Sequence, residues 1–136
     1  MSEEALVQAA TAARERSVAP FSQFMVGAAV ETDTGKVFTG CNVESASYGL
    51  TVCAERVAIW KALSEGEHNF TRLAIVAGTE ALTPPCGTCR QIIWEFCKHA
   101  EIVLANLRGD REHLQVRDLL PRAFDARFLK EATKSK

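Results

Sequence analysis

Leu6, Ala9, Ala10 and Ala13 recur at three- and four-residue intervals in an otherwise polar stretch, which predicts a helix over residues 3–17. Ser2 is placed to cap it, with Glu3 and Glu4 in the first turn and Arg14 and Arg16 in the last, each suited to the helix dipole. Pro20 falls in the loop that follows. Residues 24–31 (FMVGAAVE) are almost wholly apolar and predict a strand. Thr32-Asp33-Thr34-Gly35 has turn chemistry, and residues 36–41 (KVFTGC) predict the returning strand of a hairpin. Residues 53–65 predict a second helix closed by Gly66, with Ala58, Ile59, Ala62 and Leu63 as its buried stripe; Val57, Trp60, Lys61 and Ser64 form a separate row. Residues 72–77 (RLAIVA) and 101–105 (EIVLA) read as short strands covered on both faces, and residues 86–99 lie between them as a third helix. Residues 112–120 predict an edge strand running into a turn at Leu119-Leu120-Pro121, and the polar tail after Lys130 is expected to fray. A helix, a hairpin, and then alternating helix and strand predict an α/β sandwich around one mixed sheet, whose strand order the pattern does not give.

With 136 residues the chain corresponds to a single domain, 1–136, and no repeat or linker divides it. Hydrophobic residues make up 47% and charged residues 24%, enough for a core that needs no disulfides and too apolar for disorder. Sixteen basic against seventeen acidic residues leave a net charge of −1, so no long-range field attracts a phosphate backbone or an anionic membrane. The start, Met1-Ser2-Glu3-Glu4, is acidic and no run approaches a membrane span, so the expected location is the cytoplasm, where thiols stay reduced. Five cysteines, Cys41, Cys53, Cys86, Cys89 and Cys97, are an odd number for such a compartment and point to metal binding or catalysis.

Three of them sit at predicted helix starts. Cys53 opens the second helix, and Pro85-Cys86-Gly87-Thr88-Cys89 opens the third. Free N–H groups and the helix dipole favour thiolate there, and thiolate is the form that binds zinc. Three protein ligands leave one tetrahedral position for water, the catalytic arrangement rather than the structural one. Glu55, two residues after Cys53, is in reach of that water as a proton carrier without being a ligand. Three thiolates on one zinc leave about −1 net charge, so the adjacent Arg56 and Arg90 are candidates to donate to the sulfurs and offset it. Two other readings stay open at this point. The C-x-x-C could be a redox pair, or the zinc could be structural with a fourth ligand from Cys41, Cys97 or His99. Cys97 and His99, however, fall about 12–15 Å beyond Cys89 along the third helix at its 1.5 Å rise. Cys41 and Cys97 read as small buried hydrophobes, and His68, His99 and His113 as surface residues.

Cys53-Ala54-Glu55 with Pro85-Cys86-Gly87-Thr88-Cys89 resembles the zinc-dependent deaminase signature, a ligand-x-Glu followed by P-C-x-x-C. Cysteine as the first ligand is similar to the small homotetrameric cytidine deaminases. Three more segments carry the likeness: Ala19 to Ala29 (APFSQFMVGAA), Gly40 to Gly49 (GCNVESASYG) and Leu119 to Phe124 (LLPRAF). Together the resemblance spans roughly residues 5–125. It implies a three-layer α/β/α sandwich with a mixed five-stranded sheet. It implies a zinc cofactor, a small nucleoside substrate and a homotetramer, with no membrane or nucleic-acid partner. Among matched positions it implies Asn42 and Glu44 on the ribose hydroxyls, Phe24 against the pyrimidine face, and the Ala54 N–H on the base O2. The Pro84 carbonyl would accept from the amino group, and Tyr48 and Phe124 would reach a neighbouring subunit's site. Departures from the pattern are Phe21, Ser45, Pro84 and Thr88, with Trp60 and Trp94 bulkier than the family norm. Pro84 and Thr88 border the wall nearest the leaving group, which opens the door to N4- or 5-substituted cytidines. The alternatives are a deaminase of the blasticidin S type and a zinc protein without activity, which would have no use for Glu55. A nucleic-acid-editing role has no basic, aromatic strand-binding face to support it.

Overall fold

The computed structural model describes residues 1–134. Helix α1 (Glu3–Arg14) begins at the expected cap, where the Ser2 hydroxyl accepts from the Ala5 N–H at 3.1 Å. It stops before the predicted end at Ser17. Arg14 instead turns back and donates from Nε to the Met25 carbonyl at 3.1 Å, tying the helix end to the start of β1 (Val26–Thr32). A turn with Gly35 at φ 87° leads into β2 (Val37–Cys41). The remaining strands are β3 (Phe70–Ala77), β4 (Glu101–Asn106) and β5 (Arg111–Gln115). The sheet order is β2-β1-β3-β4-β5, and only β3 and β4 run parallel. A parallel pair needs a crossover, and α3 (Gly87–Phe96) supplies it. The expected mixed five-stranded sheet is therefore present.

Alternation along the central strands sorts the core into two layers. Val26, Ala28, Val30, Leu73, Ile75, Ile102 and Leu104 pack with α2 (Ala54–Ser64) and α3. Ala29, Ala74, Val76, Val103 and Ala105 pack with Leu6, Val7 and Ala10 of α1. Continuous apolar runs thus reflect strands covered on both faces.

The second half of the chain departs from expectation in two places. Helix α3 ends at Phe96 rather than His99: Cys97 leaves helical geometry at φ −127°, ψ 32°, and the Ala100 N–H closes a turn onto the Cys97 carbonyl at 2.9 Å. After β5 the chain forms a helical turn α4 (Val116–Leu119) and then α5 (Ala126–Lys134), so the tail beyond Lys130 is helical where fraying was expected. Asp125 anchors this segment. Its carboxylate accepts from the Arg127 N–H and Nε at 3.0 and 2.8 Å and from the Trp94 indole on α3 at 3.0 Å. No helix among the described residues is long and apolar enough to cross a membrane.

Gly40 decides where α2 begins. A Cβ there would lie 2.5 Å from the Ala54 carbonyl and 2.6 Å from the Ala58 nitrogen, so only glycine lets the first turn of α2 rest directly on β2. Gly40→Ala should therefore cost about 1–3 kcal/mol through overpacking and shift the start of α2. Urea unfolding together with metal content would register both effects, and an unchanged midpoint would show that the helix does not bear on this strand.

Candidate active site

Cys53 and Cys86 occupy the residues immediately before α2 and α3, both with extended backbone (φ −74°, ψ 155° and φ −67°, ψ 168°). Neither thiol caps its own helix. The two helix starts converge, so the sulfurs of Cys53 and Cys86 stand 3.7 Å apart, and Cys89, one turn into α3, completes a group whose sulfurs all lie within 4.8 Å of one another. All five cysteines are free thiols. Tetrahedral zinc with Zn–S bonds of about 2.3 Å sets its sulfurs about 3.8 Å apart, so this donor set suits zinc. The group contains three donors, and Cys41, Cys97 and His99 are not part of it. A second cluster, Glu3, Glu101 and His113, sits away from it at the sheet edge. There Glu3 already pairs with His113 at 2.6 Å and with Arg111 at 3.8 Å.

The sulfurs share their protons unequally. A hydrogen bond from Cys89 and then one from Arg56, working against burial, hold the Cys53 thiol down to about 5. The same bond with Cys53, then burial, pushes Cys89 upward. Arg56 Nη2 donates to the Cys53 sulfur at 3.8 Å and to the Thr51 carbonyl at 3.2 Å, as the expected charge offset requires. Arg90 differs from expectation. Its Nε and Nη1 donate to the Pro85 carbonyl at 2.8 Å and the Leu119 carbonyl at 3.0 Å. It fastens the loop before Cys86 to α4 instead of meeting a sulfur, because its side chain leaves α3 toward the chain that precedes the helix.

Glu55 is 4% exposed. Burial, then its nearness to Cys53, raises its carboxyl to about 7, with Cys89 and Arg56 pulling in the other direction. Its position in the first turn of α2 places it beside the sulfurs without joining them.

A cleft of about 300 Å³ opens over this group. Cys53, Cys86 and Glu55 line its floor, and Phe24, Asn42, Glu44, Ala54 and Pro84 line its walls, which brings seven sequence-predicted residues together with Glu55. Asn42 is buried and anchors the start of β1: its Oδ1 accepts from the Val26 N–H at 2.9 Å, and its Nδ2 donates to the Phe24 carbonyl at 2.7 Å. Glu44 Oε1 accepts from the Phe21 and Ser22 N–H groups at 2.9 and 3.1 Å, and its Oε2 from the Ser22 hydroxyl. The Ser22 hydroxyl, foremost among these bonds, keeps the Glu44 carboxyl below its ordinary value. Tyr48 and Phe124 stand outside the cleft. Tyr48 is exposed on a 3₁₀ turn, edge-on to Phe21 at 6.4 Å, and Phe124 stacks on Phe128 at 5.7 Å. The sequence reading missed Thr51, Thr83, Val26 and Ile75, which also line the cleft. For Val26 and Ile75 the signal was strand alternation, since both share the face turned toward α2.

Residues 1–106 match the cytidine and deoxycytidylate deaminase zinc-binding region. The chain belongs to this family. A cytidine deaminase from Halalkalibacterium halodurans is 46% identical over 127 residues, covering 93% of this chain and 96% of that one. A crystal structure of cytidine deaminase from Burkholderia pseudomallei superposes with a TM-score of 0.89 at 50% identity, covering 91% of this chain and all of that one. A blasticidin-S deaminase from Bacillus cereus is 30% identical over 104 residues, covering 71% of this chain and 74% of its own. Zinc is the cofactor of this deaminase region, and Cys53, Cys86 and Cys89 are the donors that fit it.

Metal removal should separate the cysteines by environment. Burial pushes the Cys97 thiol up to about 12, so it stays protonated and inert at neutral pH. After chelation of zinc, iodoacetamide should label Cys53 and Cys86 and spare Cys97, as read by peptide mass mapping. Equal labelling of Cys97 would contradict its placement beneath α3.

Proposed function

We infer that the protein hydrolyses the exocyclic amino group of cytidine and 2′-deoxycytidine, releasing uridine or 2′-deoxyuridine and ammonia. The observation that carries this reading is a three-sulfur group beside a buried, near-neutral Glu55 on the floor of a small cleft. Zinc held by Cys53, Cys86 and Cys89 supplies a water of lowered pKa and a Lewis acid. Glu55 takes a proton from the attacking water and delivers one to ring N3, which makes C4 electrophilic. The hydroxide oxygen bonds to C4, Glu55 takes the remaining proton of the new C4 hydroxyl and passes it to the amino group, and the C4–N bond breaks to release ammonia and leave the C4 carbonyl. A carboxyl held near 7 suits both directions of transfer at neutral pH.

The walls bind and orient. The Pro84 carbonyl accepts from the amino group, the Ala54 N–H reaches the base O2, and Phe24 lies against the ring. Asn42 and Glu44 meet the ribose hydroxyls. A cleft of about 300 Å³ is at the small end of ligand sites, which favours a free nucleoside over a nucleic-acid strand. Arg56 offsets the thiolate charge, while Arg90 holds the Cys86 loop. Exposed Tyr48 and Phe124 complete a neighbouring subunit's site in a homotetramer. Three thiols that must stay reduced favour the cytoplasm, and a free-nucleoside substrate there favours pyrimidine salvage. The blasticidin S alternative is distinguished by which of the two, cytidine or the antibiotic, releases ammonia from the purified protein.

Glu55→Ala should keep its zinc while kcat falls by about 10²–10⁴-fold, because a proton carrier is lost and no ligand is. Metal analysis beside an absorbance assay on cytidine checks this, and an active variant would remove Glu55 from the reaction. Glu44→Gln should raise KM for cytidine about tenfold at unchanged zinc content, and free cytosine should be a poor substrate of the native enzyme. Equal turnover of cytosine and cytidine would refute the ribose assignment.

A further inference from the structure

Arg56 carries an oddity that its contact with Cys53 does not explain. Its Nε is buried and bonds to no protein atom, although Nη2 is fully committed to the Cys53 sulfur and the Thr51 carbonyl. Against burial, the Cys53 sulfur and then Cys89 favour its charged form, so the guanidinium lies in the field of both sulfurs. Trp60 lies one turn further along α2 at the i+4 position, where side chains on a helix meet. The Arg56 guanidinium carbon lies 5.7 Å from the centre of the Trp60 ring, within reach of a cation–π attraction, and tryptophan offers the strongest ring for it. The ring is 44% exposed, so its inner face covers the cation while its outer edge meets solvent.

An arginine side chain is long, and in water its guanidinium samples many rotamers. Here one face is held by an aromatic ring and one edge by a carbonyl and a sulfur. That fixes Nη2 on the Cys53 sulfur, where the positive charge draws electron density from it. We propose that Trp60 is a positioning residue: by stacking on the Arg56 guanidinium it holds that cation against the Cys53 sulfur and so sets how much thiolate charge the bound metal feels. The proposal rests on the reading of these sulfurs as the zinc ligands of a deaminase. It assigns a purpose to Trp60, which the sequence marked only as part of a separate row on the second helix and as bulkier than the family norm.

The test replaces zinc by cobalt(II) and reads the sulfur-to-cobalt absorption band, together with kcat and KM for cytidine in the zinc enzyme. Arg56→Gln sets the reference: uncompensated thiolates give up electrons more easily, so the band moves to lower energy. Trp60→Leu, which keeps apolar cover without a ring, should move the band the same way by a smaller amount. It should also lower kcat about threefold to tenfold at unchanged KM. Trp60→Phe should recover most of both. In the Arg56→Gln background, Trp60→Leu should add nothing, because its effect passes through the missing cation. A thermal midpoint for each variant confirms folding, and Trp60→Gln repeats the test if the leucine variant does not fold. Wild-type values for the Trp60→Leu band and kcat, or equal shifts with and without Arg56, would overturn the proposal. If the native protein released no ammonia from cytidine, the functional reading would fall, while the cobalt band would still report the Trp60–Arg56–sulfur link.

Discussion

Everything at this site follows from bringing three sulfurs within 4.8 Å of one another at the starts of two helices. Thiolates packed this closely repel, and burying them makes the repulsion stronger. The chain answers with positive charge from several directions. The first turns of α2 and α3 present free N–H groups, Arg56 donates to the Cys53 sulfur at 3.8 Å, and a divalent metal is the natural remaining partner for such a donor set. Glu55 lies in the same field. Burial drives it toward neutrality, the Cys53 charge reinforces that, and the result is a carboxyl poised between its two protonation states.

The geometry behind that convergence is set far from the sulfurs. Gly40 lets α2 settle on β2, and at Gly27 a Cβ would lie 1.9 Å from the Ala10 carbonyl, so α1 sits equally close on the opposite layer. The loop that delivers Cys86 is braced from two sides. The Thr79 and Thr83 hydroxyls bond at 2.7 Å, and the Asn106 amide at the end of β4 donates to the Glu80 carbonyl at 2.9 Å. Arg90 holds the last residue before Cys86 from below. A site built on helix starts is only as well placed as the packing that fixes those starts, and here both are pinned by backbone-to-backbone proximity and short polar bonds.

What was legible in the sequence was what local physics determines. The 3.6-residue period located α1 and α2, continuous apolar runs located β1, β3 and β4, and helix-start cysteines with a neighbouring carboxylate located the metal group. What escaped was decided by tertiary partners. The tail helix Ala126–Lys134 is exposed along its described side chains, and its start is fixed by a partner the local pattern does not show, Asp125 bonded to Trp94 of α3 and to Arg127. Arg56 stands three residues after Cys53 and Arg90 four after Cys86, and one meets sulfur while the other meets two carbonyls, a difference of helix position and surroundings that the sequence pattern does not show. Strand order likewise depends on the crossover, which no local pattern records.

Asn42 and Glu44 line the cleft and at the same time shape the turn beside it. Between them they grip both sides of one bend. Glu44 holds Phe21 and Ser22, Asn42 holds Phe24 and Val26, and Gln23 between the two adopts φ 58°, a left-handed conformation that an L-residue keeps only when its neighbours are fixed. Ser22 completes the bend by accepting from the Phe24 N–H at 3.0 Å while donating to Glu44. Phe24 therefore reaches the cleft wall on a segment that the two polar residues shape. Three donors already occupy Glu44, and a carboxylate has roughly four acceptor positions, so about one remains for a ligand hydroxyl. Asn42, Glu44 and Phe24 are thus one mechanical unit at the cleft wall, so a change at Glu44 is felt by the loop that carries Phe24.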